Sequence, residues 1–293
     1  LATRGGRHLS RFVGEFLVRA VDGECEGRWK LFNLETLNPV LLGVVGSLLA
    51  GLMTTVGALP ILFGGIPGER TRDALLGFAA GVMLAASFFS LIVPSLEYSE
   101  RTYGAGAIPA VIAVVGILLG ASAVAAINRL LPHEHFFQGR EGPASTSLRR
   151  IWLFIIAITI HNFPEGLAVG VGFGSGDVAQ GLPLAIGIGL QNAPEGLAVA
   201  VALMGEGYTK LKAFTIAALT GLVEPIGGLL GAGAVSISEP LLPWGLVFAA
   251  GAMLFVISHE IIPETHRRGY QDEATTGLMI GLVIMLFLDD WLG

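Results

Sequence analysis

Apolar residues run along this chain in eight blocks, each near bilayer-spanning length, at 38–65, 74–96, 105–128, 151–173, 178–204, 211–236, 240–262 and 274–292. A helix needs about 20 predominantly apolar residues to cross the hydrocarbon layer. Turn-forming residues separate the blocks: Gly64-Gly65-Ile66-Pro67-Gly68, Gly174-Ser175-Gly176-Asp177, Gly205-Glu206-Gly207 and Glu239-Pro240. The pattern predicts an all-α, polytopic membrane protein in two parts, a polar N-terminal segment 1–36 and a membrane domain 37–293. Leu9 to Val21 is amphipathic, so it is expected either to lie in the membrane interface or to form a short extra span.

Loop charges give an orientation. Arg70, Arg72, Arg129, Arg140, Arg149, Arg150, Lys210, Lys212, Arg267 and Arg268 follow spans 1, 3, 5 and 7, whereas the opposite loops hold only Arg101. The excess of cations marks the cytoplasmic side, which puts the C-terminus outside. The N-terminal segment disagrees, because it carries six Lys/Arg. A span near residues 9–21 would reconcile it.

Composition agrees with the pattern. The chain of 293 residues is 53% hydrophobic and 14% charged, with a mean hydropathy of +0.72, outside the range of soluble domains. Its 42 glycines suit helices packed closely in lipid. A net charge of −6 makes no case for nucleic acid. The lone cysteine, Cys25, excludes an intrachain disulfide and a thiolate metal cluster. Residue 1 is Leu, so the native start is expected upstream, and no signal peptide is expected because Arg11, Glu15 and Arg19 interrupt the first apolar residues.

Chemistry enters with two matching stretches, His161-Asn162-Phe163-Pro164-Glu165-Gly166-Leu167-Ala168-Val169 and Gln191-Asn192-Ala193-Pro194-Glu195-Gly196-Leu197-Ala198-Val199. Each places a Glu at membrane depth, which costs about 2.5–3.5 kcal/mol or more and marks a functional site by default. His161 and Glu165 are four apart and share a helix face, as do Gln191 and Glu195. Pro164 and Pro194 each remove an amide and free the carbonyl four residues back. A freed carbonyl is tolerable in lipid only against protein, water or an ion. Glu224-Pro225 on the sixth block repeats the device. A lone Pro in a membrane helix is usually a kink, and a lone Asn or Gln usually joins helices. Three buried Glu beside Pro, with His and amides nearby, exceed that reading and point to a cation.

Other polar groups are weaker. His133-Glu134-His135 lies in the longest loop, about 129–150. His259-Glu260, near the cytoplasmic end of the seventh block, reads equally as an exit ligand pair or an interfacial end. Asp289-Asp290 reads as a solvated helix end and Asp73 as a helix cap. Met83 is ordinarily packing, though its thioether can bind a soft metal.

Imidazole, carboxylate and amide oxygens favour zinc and its divalent neighbours over copper(I), calcium or magnesium. His161, Glu165, Gln191 and Glu195 make a four-ligand set, and Glu165 and Glu195 can bridge to a second ion held by Asn162, Asn192 and Glu224. The paired motif, followed by Glu224-Pro225-Ile226-Gly227-Gly228, resembles the ZIP (Zrt-, Irt-like protein) family of divalent metal transporters, bacterial branch, over about residues 38–293. The resemblance implies eight spans arranged 3+2+3, with spans 1–3 and 6–8 as inverted repeats, and flow of zinc, cadmium or similar ions into the cytoplasm across a bacterial inner membrane. It implies a first metal site of Met83, His161, Glu165, Gln191 and Glu195, and a second of Asn162, Glu165, Asn192, Glu195 and Glu224. His133, His135, His259 and Glu260 are then candidate ligands on the cytoplasmic exit. Many members carry His at the position of Gln191 and an acid near Asn192, so the amides bear on selectivity.

The expected partners are divalent metal ions and the lipid bilayer, with no nucleic acid and with room for a homodimer. An intramembrane metalloprotease would need His-Glu-x-x-His, which the chain lacks, and no enzyme activity is expected. A metal sensor would need an output domain beyond the 36-residue segment. A metal-selective channel stays open as the alternative to a carrier, which inverted repeats favour.

Overall fold

The computed structural model describes residues 34–131, 133–135, 139–141 and 150–292, and of 35, 133–135, 139–141, 150–155 and 157 the backbone alone. The amphipathic segment 9–21, Cys25 and most of the 129–150 loop lie outside these residues. Eight long helices follow one another: α1 (Pro39–Phe63), α2 (Glu69–Tyr103), α3 (Ala107–Leu130), α4 (Arg150–Gly174), α5 (Val178–Gly205), α6 (Lys210–Ile237), α7 (Leu241–Thr265) and α8 (Gln271–Leu292). All but α4, whose first side chains are not described, are long and apolar enough to cross a membrane on the described residues alone. The protein is a multi-pass, all-α membrane protein. Its large lipid-facing residues, such as Val111, Val114, Leu118 and Leu119 on α3 and Met279, Ile280, Val283 and Phe287 on α8, are exposed. In water such surfaces would be an association liability.

Local rules explain the helix ends. Asn38 caps α1 by accepting from the Val40 amide at 2.8 Å, with Pro39 pre-set at the first helical position. Asp177 caps α5 through the Ala179 amide at 3.0 Å. Gly64 ends α1 with φ 85°, a left-handed conformation that favours glycine. The long loop holds a short antiparallel ladder, β1 (His133–His135) with β2 (Gly139–Glu141), in the register His133↔Glu141.

The helices pack as two bundles. In one, α1 lies against α4, α5 and α6, and α4 against α6; in the other, α2 lies against α8 and α3 against α7. Glycine makes the joints inside each bundle. A β-carbon on Gly57 would lie 1.8 Å from the carbonyl oxygen of Ala193, and one on Gly81 would lie 1.9 Å from that of Leu278. Across the seam, by contrast, side chains meet: Gly187 of α5 faces the sulfur of Met285 on α8, and Gly245 of α7 faces Val171 on α4.

The helices α2 and α7 are copies. Phe78-Ala79-Ala80-Gly81-Val82-Met83-Leu84 and Phe248-Ala249-Ala250-Gly251-Ala252-Met253-Leu254 differ at one position. Each copy leads into a π-helical turn, Ala86–Ile92 in α2 and Ile257–Ile261 in α7, and then a proline, Pro94 or Pro263. Four crossings, α3 to α6, lie between them, so the two run in opposite directions. This is the relation expected of inverted repeats.

Two expectations for end residues change. Asp73 is not a cap: α2 begins after Gly68, and the fully buried Asp73 carboxylate accepts from Arg268, which also donates to Glu264 of α7. A buried carboxylate needs a partner, and Arg268 ties the start of α2 to the end of α7. Asp289 is not simply solvated, because it accepts from Ser90, in the α2 π turn, at 2.5 Å.

Candidate metal centre

The two Pro-Glu-Gly motifs sit on α4 and α5, where these helices meet α6 and α1. The glycine after each glutamate sets the approach. A β-carbon on Gly166 would fall 2.0 Å from the carbonyl oxygen of Glu224, and one on Gly196 would fall 2.1 Å from that of Thr54. The helices close until backbone meets backbone, bringing the preceding carboxylates within reach of each other. Glu224 opens the second half of α6, after a 3-10 turn at Gly221–Val223.

Ring and carboxylates converge there. Nε2 of His161 lies 3.4 Å from Oε2 of Glu195 and 3.8 Å from Oε1 of Glu165. One ligand atom from each of the three residues falls within 4.8 Å of the others. Gln191 donates through Nε2 to Oε1 of Glu165 at 2.7 Å. Beside them, Asn192 donates through Nδ2 to Oε1 of Glu224 at 2.7 Å and to the Ala50 carbonyl at 2.9 Å, while Asn162 donates to the Thr220 carbonyl at 3.1 Å. Glu165, Gln191 and Glu224 are wholly buried.

The hydrogen bonds leave a residue of acceptors. Oε2 of Glu165, Oε1 of Gln191, Oε1 of Glu195 and Oε2 of Glu224 are buried without a donor. An unmade hydrogen bond at a buried polar group costs about 1–3 kcal/mol, more for a charged one. Donor-less acceptors on α4 and α5 beside one imidazole, with another on α6, fit a cation, since each gains from a positive charge and none has a proton donor to lose. Oxygen with a single nitrogen is a borderline donor set, suited to zinc-like ions.

The remaining sequence candidates fall into three groups. Met83 is fully buried on α2, and its carbonyl accepts from the Ser87 hydroxyl at 2.8 Å. His133 and His135 lie in β1, where only the backbone is described. His259 and Glu260 share the π turn of α7 but part company. The His259 ring packs on Phe255 at 5.0 Å between centroids, whereas Oε2 of Glu260 lies 3.5 Å from Nδ1 of His161. Glu260 therefore belongs beside the α4–α5 cluster, not apart from it. Helical periodicity could not show this, because a π turn inserts a residue and re-aims those around it. Asn128 on α3, 4% exposed with neither amide atom bonded, is a buried polar group the sequence pattern did not single out.

Known proteins resemble this chain over most of its length. The family described as ZIP Zinc transporter matches residues 133–289. The zinc transporter GufA of Myxococcus xanthus is 47% identical over 251 residues, 86% of this chain and 99% of that protein. The zinc transporter ZIPB of Bordetella bronchiseptica is 46% identical over 250 residues, 85% of this chain and 81% of that protein. Human zinc transporter ZIP11 is 36% identical over an alignment of 341 positions, 89% of this chain and all of that protein. With membrane-spanning helices, paired Pro-Glu-Gly motifs and relatives matched almost end to end, the chain belongs to the ZIP zinc transporter family.

Proposed function

We propose that this protein carries zinc across the bacterial inner membrane into the cytoplasm, with residues 37–293 as the transport domain. The observation that carries the reading is the convergence of His161, Glu165 and Glu195, with four buried, donor-less oxygens on Glu165, Gln191, Glu195 and, on α6, Glu224. The relatives above are named as zinc transporters, which agrees with the donor set. The first ion binds Met83, His161, Glu165, Gln191 and Glu195. The second binds Asn162, Glu165, Asn192, Glu195 and Glu224, so the two glutamates bridge a binuclear site. Amide ligands lower the charge of the cage and ease release. Cadmium, a divalent ion that takes the same donors, is carried as well.

Alternating access fits better than a channel. The ligands of α4, α5 and α6 sit in one bundle, and the seam to the other bundle is made of side chains, so the first bundle can slide or rock against the second. The cation-rich loops put the C-terminus outside. Released metal passes His259 and Glu260, then His133 and His135, on its way inward. Purified protein in liposomes should take up zinc and cadmium down a gradient, with manganese and iron tested beside them and a pH dye inside. Empty-vesicle rates for all four ions would overturn the reading, and throughput near that of open pores would favour the channel.

A further inference from the structure

The geometry points to Glu260 as the positioning carboxylate of His161: it accepts the Nδ1 proton and so keeps the Nε2 lone pair turned toward Glu165 and Glu195. This rests on the reading that His161 is a metal ligand, and it adds a residue from the opposite bundle to the site.

The two ring nitrogens face different groups. Nε2 looks at the carboxylates of Glu195 and Glu165, at 3.4 and 3.8 Å. Nδ1 looks at Oε2 of Glu260, at 3.5 Å. A neutral imidazole has one N–H, and which nitrogen carries it decides which can bind a metal. With the proton on Nδ1, Nε2 offers its lone pair on the side where the carboxylates of Glu165 and Glu195 lie. With the proton on Nε2, the ring would leave no lone pair for an ion held between those two carboxylates. Histidines that ligate metals almost always donate their second N–H to a carboxylate, carbonyl or water, and loss of that partner costs about 10–100-fold in metal affinity.

The backbone supplies the reason Glu260 reaches this place. It sits in the π turn Ile257–Ile261 of α7, and its neighbour His259 is turned onto Phe255. Its side chain is 10% exposed and that of His161 is 14% exposed, so little water competes for the contact. Since α7 and α4 belong to different bundles, the histidine is held in its metal-ready tautomer only while the π turn of α7 stands beside α4. Affinity is thereby tied to one relative placement of the bundles.

Magic-angle-spinning 15N NMR on protein in liposomes, ring-labelled at histidine, reads the tautomer directly. The His161 signals are those absent in His161→Gln, and zinc itself is the probe. Wild-type protein at neutral pH should show a protonated Nδ1 and a bare Nε2 that shifts with zinc. Glu260→Ala should move the proton to Nε2 and weaken zinc binding about 10–100-fold. Glu260→Gln, whose amide oxygen can still accept, should keep both the tautomer and affinity within about twofold of wild type. Should the alanine variant fail to fold, Glu260→Met removes the acceptor at similar volume. Unchanged tautomer and affinity in the alanine or methionine variant would overturn the assignment. A wild-type His161 that ignores zinc would instead sink the metal-ligand reading beneath it.

Discussion

Gln191 and Glu165, on neighbouring helices, share a fully buried hydrogen bond of 2.7 Å that leaves one oxygen of each without a donor. The bond fixes both side chains and turns their spare acceptors into the gap that His161 and Glu195 border. On the proposed reading, those spare acceptors are what an ion would engage.

Either Glu165→Ala or Glu195→Ala should therefore abolish divalent uptake in vesicles while the purified protein stays monodisperse. Each glutamate keeps one buried oxygen without a donor, so its removal also relieves a desolvation cost, and the fold should survive. Normal transport by both single variants would mean that the ion binds elsewhere.

Glu224 touches Asn192 and not His161 in the contacts described above. Glu224→Ala should slow or retune transport and spare the first ion. Crystals of the variant soaked in cadmium should show one of two peaks missing. Loss of both peaks, or of neither, would count against a division into two sites.

Gly166 and Gly196 have backbone where a side chain would go. Alanine at either position should lower stability by about 1–3 kcal/mol or more, as overpacking does, and should lower uptake by separating the glutamates. Gly233→Ala on α6, where nothing lies within 4 Å of the new carbon, is the matched control and should be neutral. Thermal unfolding in detergent compares the three, and an equal midpoint for all would refute the close-approach argument.

The inward path carries its own expectation. Replacing His133, His135 and His259 together should lower the flux rate more than the apparent affinity, because these residues act after the transport site. A histidine ligand must be free of its second proton to bind a metal, so weak cytoplasmic-side binding should fade as pH falls. Cysteines at positions 133 and 259 should react from the cytoplasmic side. Reaction from the outside alone would invert the orientation and remove the exit path.

The sequence made the spans readable because lipid leaves a helix few options: about 20 apolar residues in a row, with breakers between them. The α4 and α5 carboxylates were readable for the same reason, since Glu165 and Glu195 are costly wherever they lie in such a run. Asp73 and Asp289 were misread as end residues because their partners, Arg268 and Ser90, lie 195 and 199 residues away in the chain. The contact from Glu260 to His161 was beyond periodicity, because 3.6 residues per turn fails inside a π turn. The Phe-Ala-Ala-Gly-x-Met-Leu copies in α2 and α7 stood in the sequence throughout. They are short, and the small apolar residues that form them are common throughout membrane helices, so the match stands out only once both are seen to lead into π turns.

The seam between the bundles acts as a bearing. Inside each bundle glycine joints press backbone on backbone and resist shear. At the seam Val171 rests on Gly245 and Met285 on Gly187, with His161 and Glu260 as a polar exception. For a carrier working by relative movement, sliding there trades one set of dispersion contacts for another at little net cost. Friction, set by side-chain shape at 171 and 285, would then govern turnover, while the ion's cage governs grip. In such a carrier, variation at 171 and 285 would adjust speed alone, and the His161–Glu260 contact would be the one place on this seam where speed and grip meet.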